Sequence, residues 1–190
     1  MSKREELLEV ALKLFAEEGY DAVGVQKIVD CAGVTKPTLY HYFGSKEGLL
    51  DSMLELYFAP FVDTLEGLCE YQNNIVVTLE GIVFHYLKFA RENLMLYKLI
   101  LNLSFAPEKS QSYASIMKYS VRQYAAIEKM FAAAAGQHGN MKGRSVMFAY
   151  TFIGIINSNI SFYLCTKNDV DINQNTARKL CKQFMHGIFS

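Results

Sequence analysis

The chain of 190 residues has no excess of charge of either sign: 19 lysines and arginines balance 19 aspartates and glutamates. Global charge therefore announces no polyanionic partner, and a surface for one has to come from uneven distribution. Proline is scarce, at three residues, while 51% of the chain is apolar. This excludes a solvated, disordered polypeptide. Cys31, Cys69, Cys165 and Cys181 form no CxxC pair and follow no regular spacing, so the expectation is four reduced thiols in a cytoplasmic protein. The N-terminal MSKREELLEV mixes bases and acids ahead of any apolar run, unlike a signal peptide. There is no HExxH, no GxGxxG after a strand, no phosphate loop and no GxSxG. His41, His85, His138 and His186 stand far apart, with no carboxylates patterned around them. The expectation is no enzyme, no cofactor and no metal. One run from Ser145 to Thr166 carries no charge and is long enough to cross a bilayer. It contains Thr151, Asn157, Ser158, Asn159 and Ser161, which are costly in lipid. It reads instead as a helix buried all round within the protein, and no membrane partner is expected.

What is present is helical period nearly everywhere, with no sustained alternation. The fold class is all-α: an N-terminal three-helix helix-turn-helix domain followed by a C-terminal helical bundle, about nine helices in all. Leu7, Val10, Ala11, Leu14 and Phe15 stripe a first helix that Gly19 ends. A short helix spans about 25–32, and Thr35 caps another with Pro37 in its first turn. Ser45 caps a fourth that runs towards about residue 65, and further helices fall near 74–91, 94–104, 111–135, 142–166 and 173–189. Two domains are expected, 1–46 and 47–190, joined through the fourth helix without a flexible linker.

The third helix carries the chemistry. At 100° per residue Leu39 and Phe43 face inward, while Pro37, Thr38, Tyr40 and His41 fall on the opposite arc, flanked by Lys36 and Tyr42. No acid occurs between Lys36 and Lys46, which suits a surface facing phosphates. Between Val25 and Lys46 the bases are Lys27, Lys36 and Lys46 and the one acid is Asp30, a local charge of plus two. Lys46 opens a helix, where the macrodipole disfavours a cation, so a docked DNA phosphate is expected to relieve the conflict.

The first fifty or so residues resemble the DNA-binding domain of the TetR family of bacterial regulators. The resemblance rests on Leu14-Phe15, Gly19-Tyr20, Ile28, Ala32-Gly33-Val34, the run from Lys36 to Phe43, Ser45-Lys46-Glu47 and Leu49-Leu50. It implies that Thr38 and His41 reach base edges or backbone in the major groove and that Tyr40, Tyr42 and Lys46 hold phosphates. Gln26 and Lys36 are implied as further contacts, so with Lys27, Thr35 and Pro37 the expected DNA-binding set is complete. The chain departs from the family pattern at Val23 and Gly24, where Thr or Ser is usual, and at Gln26, where Arg is common.

In the uncharged run, Thr151, Gly154, Ser158, Ser161 and Cys165 form a stripe of small side chains that admits a close helix neighbour. The resemblance implies a homodimer through 142–189, with Leu180, Phe184 and Ile188 of the last helix added to that stripe. The middle helices are rich in aromatic and Met residues, which suit either core packing or a pocket for a small apolar or aromatic molecule. The pocket candidates are Phe61, Phe84, Tyr97, Phe105, Tyr113, Met117, Tyr124 and Phe152. The expected function is a transcription regulator, a repressor released from a palindromic double-stranded DNA operator by a small-molecule effector. The alternatives are a helical small-molecule carrier without DNA binding and an all-α enzyme.

Overall fold

The computed structural model describes residues 2–166 and 173–187, and among these it contains ten α-helices, one short 3-10 helix and no strand. In chain order they are α1 (Lys3–Glu18), α2 (Val25–Cys31), α3 (Lys36–Phe43), α4 (Lys46–Tyr57), α5 (Ala59–Leu68), α6 (Ile75–Glu92), α7 (Leu94–Ser104), α8 (Gln111–Ala134), α9 (Ser145–Thr166) and α10 (Gln174–His186). Where one long fourth helix was expected, the chain breaks at Phe58. Pro60 explains the break: it offers no N–H, and its ring crowds the carbonyl four residues back.

The helices form two compact units. The first comprises Met1–Phe61 with Met95–Ser120, the second Val62–Leu94 with Val121–Ser190. Packing order thus differs from chain order, since residues 95–120 join the N-terminal unit. In the first unit α1 starts with a reciprocal cap: the Glu5 amide donates to Ser2 Oγ, and the Ser2 amide donates back to the Glu5 carboxylate. Leu7, Leu8, Ala11 and Phe15 of α1 are fully buried, as are Ile28 of α2, Leu39 of α3 and Leu49 and Leu50 of α4. α1 packs against α2, α3 and α4. The start of α8 is tied to α4 by Lys118 to Asp51 at 3.1 Å and by the Tyr119 hydroxyl to Glu55 at 2.9 Å.

In the second unit α6, α9 and α10 pack on one another. Phe131, Phe148, Phe152 and Phe184 form an aromatic cluster, with Phe152 and Phe184 centroids 4.9 Å apart. α9 is not buried all round. Ala149, Phe152, Ile153, Ile156 and Ile160 face inward, while Met147, Tyr150, Thr151, Gly154, Ser158 and Phe162 are exposed along one side. Its high apolar content had hidden this two-faced character, because small and aromatic residues rather than charges occupy the outer side. Phe162 is 59% exposed. The segment Ser145–Tyr163 is long and apolar enough to cross a membrane by length and composition.

Candidate nucleic-acid interface

The interface candidates lie on α2, the turn after it, α3 and the first turn of α4, all in the first unit. Short helices cannot stand alone in water. Here Ile28 and Val29 anchor α2, and Leu39 and Phe43 anchor α3. The Arg4 guanidinium lies 5.4 Å from the centre of the Phe43 ring and closes that anchor from the α1 side. α3 ends at Gly44, whose φ of 73° is in the left-handed region that glycine occupies without strain. Ser45 then starts α4, its hydroxyl accepting from the Gly48 amide at 3.0 Å. A Cβ at Gly48 would stand 2.0 Å from the Phe43 carbonyl oxygen, so α3 and α4 meet this closely only because residue 48 has no side chain.

With its apolar side so anchored, α3 turns its other side to solvent. Lys36, Pro37, Tyr40, His41 and Tyr42 are exposed and Thr38 is half-buried. Tyr40 and Tyr42, at 47% and 41% exposure, are far outside the range of core tyrosines. The His41 and Tyr42 rings meet edge to face at 5.4 Å, which stiffens the arc. Thr35 stands at the N-cap of α3, but its hydroxyl pairs with the Thr38 hydroxyl at 2.9 Å rather than with a backbone amide. On α2, Gln26 and Lys27 are exposed and already engaged: Gln26 Nε2 donates to Asp30 at 2.7 Å, and Lys27 pairs with Glu18. Lys36 forms no ion pair among the described residues.

Lys46 stands apart. Its Nζ donates to the backbone carbonyls of Tyr20 at 3.0 Å and Val23 at 3.1 Å, and lies 4.1 Å from the centre of the Tyr20 ring. The conflict between a cation and a helix start is thus relieved by oxygen atoms of the chain itself. Beneath it, burial pushes the Tyr20 phenol above its ordinary pKa, with Glu47, Asp21 and Asp51 adding to the effect.

The other expected sets are scattered. Of the pocket candidates, Phe61, Tyr97, Phe105, Tyr113 and Met117 belong to the first unit and Phe84, Tyr124 and Phe152 to the second. Phe61 stacks on Phe58 at 5.4 Å, and burial raises the Tyr97 phenol pKa. Phe105 is 88% exposed and walls no enclosed space. Tyr124 stacks on Tyr150 at 4.5 Å, and Phe152 sits in the phenylalanine cluster. A cavity of about 590 Å³ within the first unit is lined by Arg4, Asp51, Glu55, Lys118 and Tyr119 among others. One of about 510 Å³ within the second is lined by Glu66, Cys69, Tyr71, Arg122 and Lys129 among others. Neither includes a pocket candidate. Of the expected dimer residues, Thr151, Gly154 and Ser158 are exposed and Ser161 is half-buried. Leu180 is buried in its own unit and Phe184 joins the phenylalanine cluster. Ile188 and the side chain of Cys165 lie outside the described residues. Sequence reasoning missed Tyr150 and Phe162 on the outer side of α9, although both follow the helical spacing of the small stripe.

Residues 7–53 match the family described as bacterial regulatory proteins, tetR family. The HTH-type transcriptional repressor KstR2 of Mycobacterium tuberculosis is 37% identical over 93 residues, 45% of this chain and 46% of that protein. The chain thus spans about half the length of that curated relative. The HTH-type transcriptional activator FasR of Mycolicibacterium smegmatis is 25% identical over 97% of this chain and 82% of its own. The transcriptional regulator FadR from Bacillus subtilis, solved in complex with stearoyl-CoA, shares the fold with a TM-score of 0.77 at 18% identity, covering 97% of this chain and 98% of that one. The family match runs across the anchored α2–α3 pair and its outward arc of hydroxyl, phenol and imidazole groups, so residues 7–53 form an N-terminal domain of the tetR type of bacterial regulatory proteins.

Proposed function

We propose that this protein is a sequence-specific, DNA-binding transcription regulator, a repressor that a small apolar or aromatic effector releases from a palindromic operator. The observation that carries this reading is the outward arc of α3. Tyr40, His41 and Tyr42 are exposed beside Lys36, which forms no ion pair among the described residues, with no acid from Lys36 to Lys46. An ordinary solvent-facing helix would place Glu and Lys pairs there. The base-reading groups in this proposal are Thr38 and His41. Lys36, Tyr40 and Tyr42 hold phosphates, with Gln26, Lys27, Thr35 and Pro37 around them.

A palindrome needs two copies of the chain. The exposed side of α9, with Thr151, Gly154 and Ser158 between Tyr150 and Phe162, supports a homodimer formed there, since small residues let a partner helix approach closely. Such pairing covers the apolar side without lipid and fits a cytoplasmic protein. The division of labour proposed is 1–46 for DNA and 47–190 for effector and partner. Stearoyl-CoA in the Bacillus subtilis FadR structure supports an apolar effector here, one that shifts the population towards a form that does not fit DNA. The test is selection of bound molecules from a pool of random duplexes at near-physiological salt, followed by sequencing. A two-fold symmetric motif is expected. Retention of all sequences alike, or of none, contradicts the reading.

A further inference from the structure

We propose that Asp30 is a positioning residue for base reading: it fixes which end of the Gln26 carboxamide is free to face DNA, and so makes Gln26 select adenine over guanine. The inference rests on the DNA-binding reading above. Its starting point is that Asp30 stands where an acid is least favoured. It is the one acid between Val25 and Lys46, and an exposed carboxylate there repels phosphates. It also occupies the last turn of α2, where the macrodipole disfavours an anion. No cation offsets it. Asp30 forms no ion pair among the described residues, and Lys27 on the same short helix is committed to Glu18 of α1.

What Asp30 does hold is Gln26, one turn earlier. Gln26 Nε2 donates to Asp30 Oδ1 at 2.7 Å, and both side chains are exposed. As a prop for the helix this bond achieves little, because an i,i+4 pair of this kind and an anion at the wrong helix end are similar in size and opposite in sign. Its consequence for recognition is larger. A carboxamide has two ends, a carbonyl and an NH2, nearly equal in shape and opposite in hydrogen bonding. A carboxylate only accepts, so the end of Gln26 that meets Asp30 is the NH2 end. One N–H and the carbonyl oxygen then remain for a partner. Adenine offers the matching pair in the major groove, N7 as acceptor and the N6 amino group as donor. Guanine offers two acceptors, N7 and O6, and suits an amide that turns both its N–H groups outward. With one N–H engaged by Asp30, that second mode is closed.

The experiment is selection from random duplexes and sequencing for the wild type, Asp30→Ala, Gln26→Ala and the double variant, with the affinity of each for one unrelated duplex and its thermal unfolding. Gln26→Ala marks the position of the half-site that this side chain reads, and the wild type is expected to prefer adenine there. In Asp30→Ala the preference for adenine over guanine at that position should fall by roughly tenfold, within the range of one bidentate base contact. Every other position should keep its profile, and binding to the unrelated duplex should tighten because an anion has gone. Added to Gln26→Ala, Asp30→Ala should relax no further position, since it acts through that side chain. An unchanged motif in Asp30→Ala overturns the proposal, as does guanine at the Gln26 position in the wild type. A loss spread evenly over all positions overturns it too, being the mark of a merely structural residue. So does a further position relaxed in the double variant, the mark of a direct base contact by Asp30. Should Asp30→Ala not fold, Asp30→Asn decides: its amide can donate or accept, so the same relaxation at the one position is expected. If the wild type enriches no motif, the DNA-binding reading fails and this inference falls with it; failure of the positioning role alone leaves the wild-type motif standing.

Discussion

At the scale of single residues, the same chemical group does different work according to its surroundings, and the sequence displays the group without the surroundings. Lys36 and Lys46 were alike as bases flanking an acid-free run, yet one is open to solvent and the other is spent on two carbonyls. The oddity of a cation at a helix start was legible; what relieves it lay 23 and 26 residues away and was not. The cysteines divide in the same manner. Cys31 is exposed, whereas burial pushes the Cys69 and Cys181 thiols up to about 12. At pH 8 the buried pair hold a thiolate fraction of about one in ten thousand, against roughly a quarter for an ordinary thiol of pKa about 8.5. Alkylation of the native protein with mass-spectrometric readout should therefore modify Cys31 well before Cys69 or Cys181. The same shift makes an alkaline contribution to stability. A thiol whose folded pKa is raised stabilises the fold fully below the unfolded value of about 9 and loses that contribution as pH climbs towards about 12. Rapid labelling of Cys69 at pH 8 would show that its surroundings open readily.

At the scale of helices, period and punctuation located most elements to within a few residues, because amphipathic stripes and glycine or serine boundaries are local signals. α7, expected at 94–104, spans Leu94–Ser104. Two features escaped. The break at Phe58 is set by Pro60, a single residue whose effect reaches back four positions. The outer side of α9 escaped because an exposed surface of Tyr, Thr, Gly, Ser and Phe has the composition of a core. The close approach of α3 and α4 was also hidden, since it depends on what Gly48 lacks. Gly48→Ala places a methyl carbon 2.0 Å from the Phe43 carbonyl oxygen, against rigid backbone that cannot yield cheaply. That substitution should lower the unfolding free energy by about 2 kcal/mol or more, in the range of overpacked sites, even though Ala favours helix. Denaturant unfolding checks it, and an unchanged or raised midpoint would mean that the two helices separate freely.

At the scale of the whole molecule, the family likeness of the N-terminal domain and the exposed arc of α3 were legible because they are written in one contiguous stretch of about fifty residues, and the all-helical class because helical period runs nearly throughout. The effector site was not. Its candidates were chosen by composition, and aromatic residues serve as core filler and as ligand walls alike; Phe152 packs in a phenylalanine cluster and Phe105 stands in solvent, a difference that composition does not encode. The central proposal is that the outward arc of α3 reads DNA while its inward side only holds the domain together. The most direct measurement is the affinity of the doubly substituted Tyr40→Ala, His41→Ala protein for the selected duplex, beside its thermal unfolding. Both side chains are exposed, so the fold should keep its midpoint within a few degrees, while specific binding should weaken by roughly a hundredfold, about 1–3 kcal/mol per lost contact. A folded double variant that binds the duplex as tightly as the wild type would contradict the account.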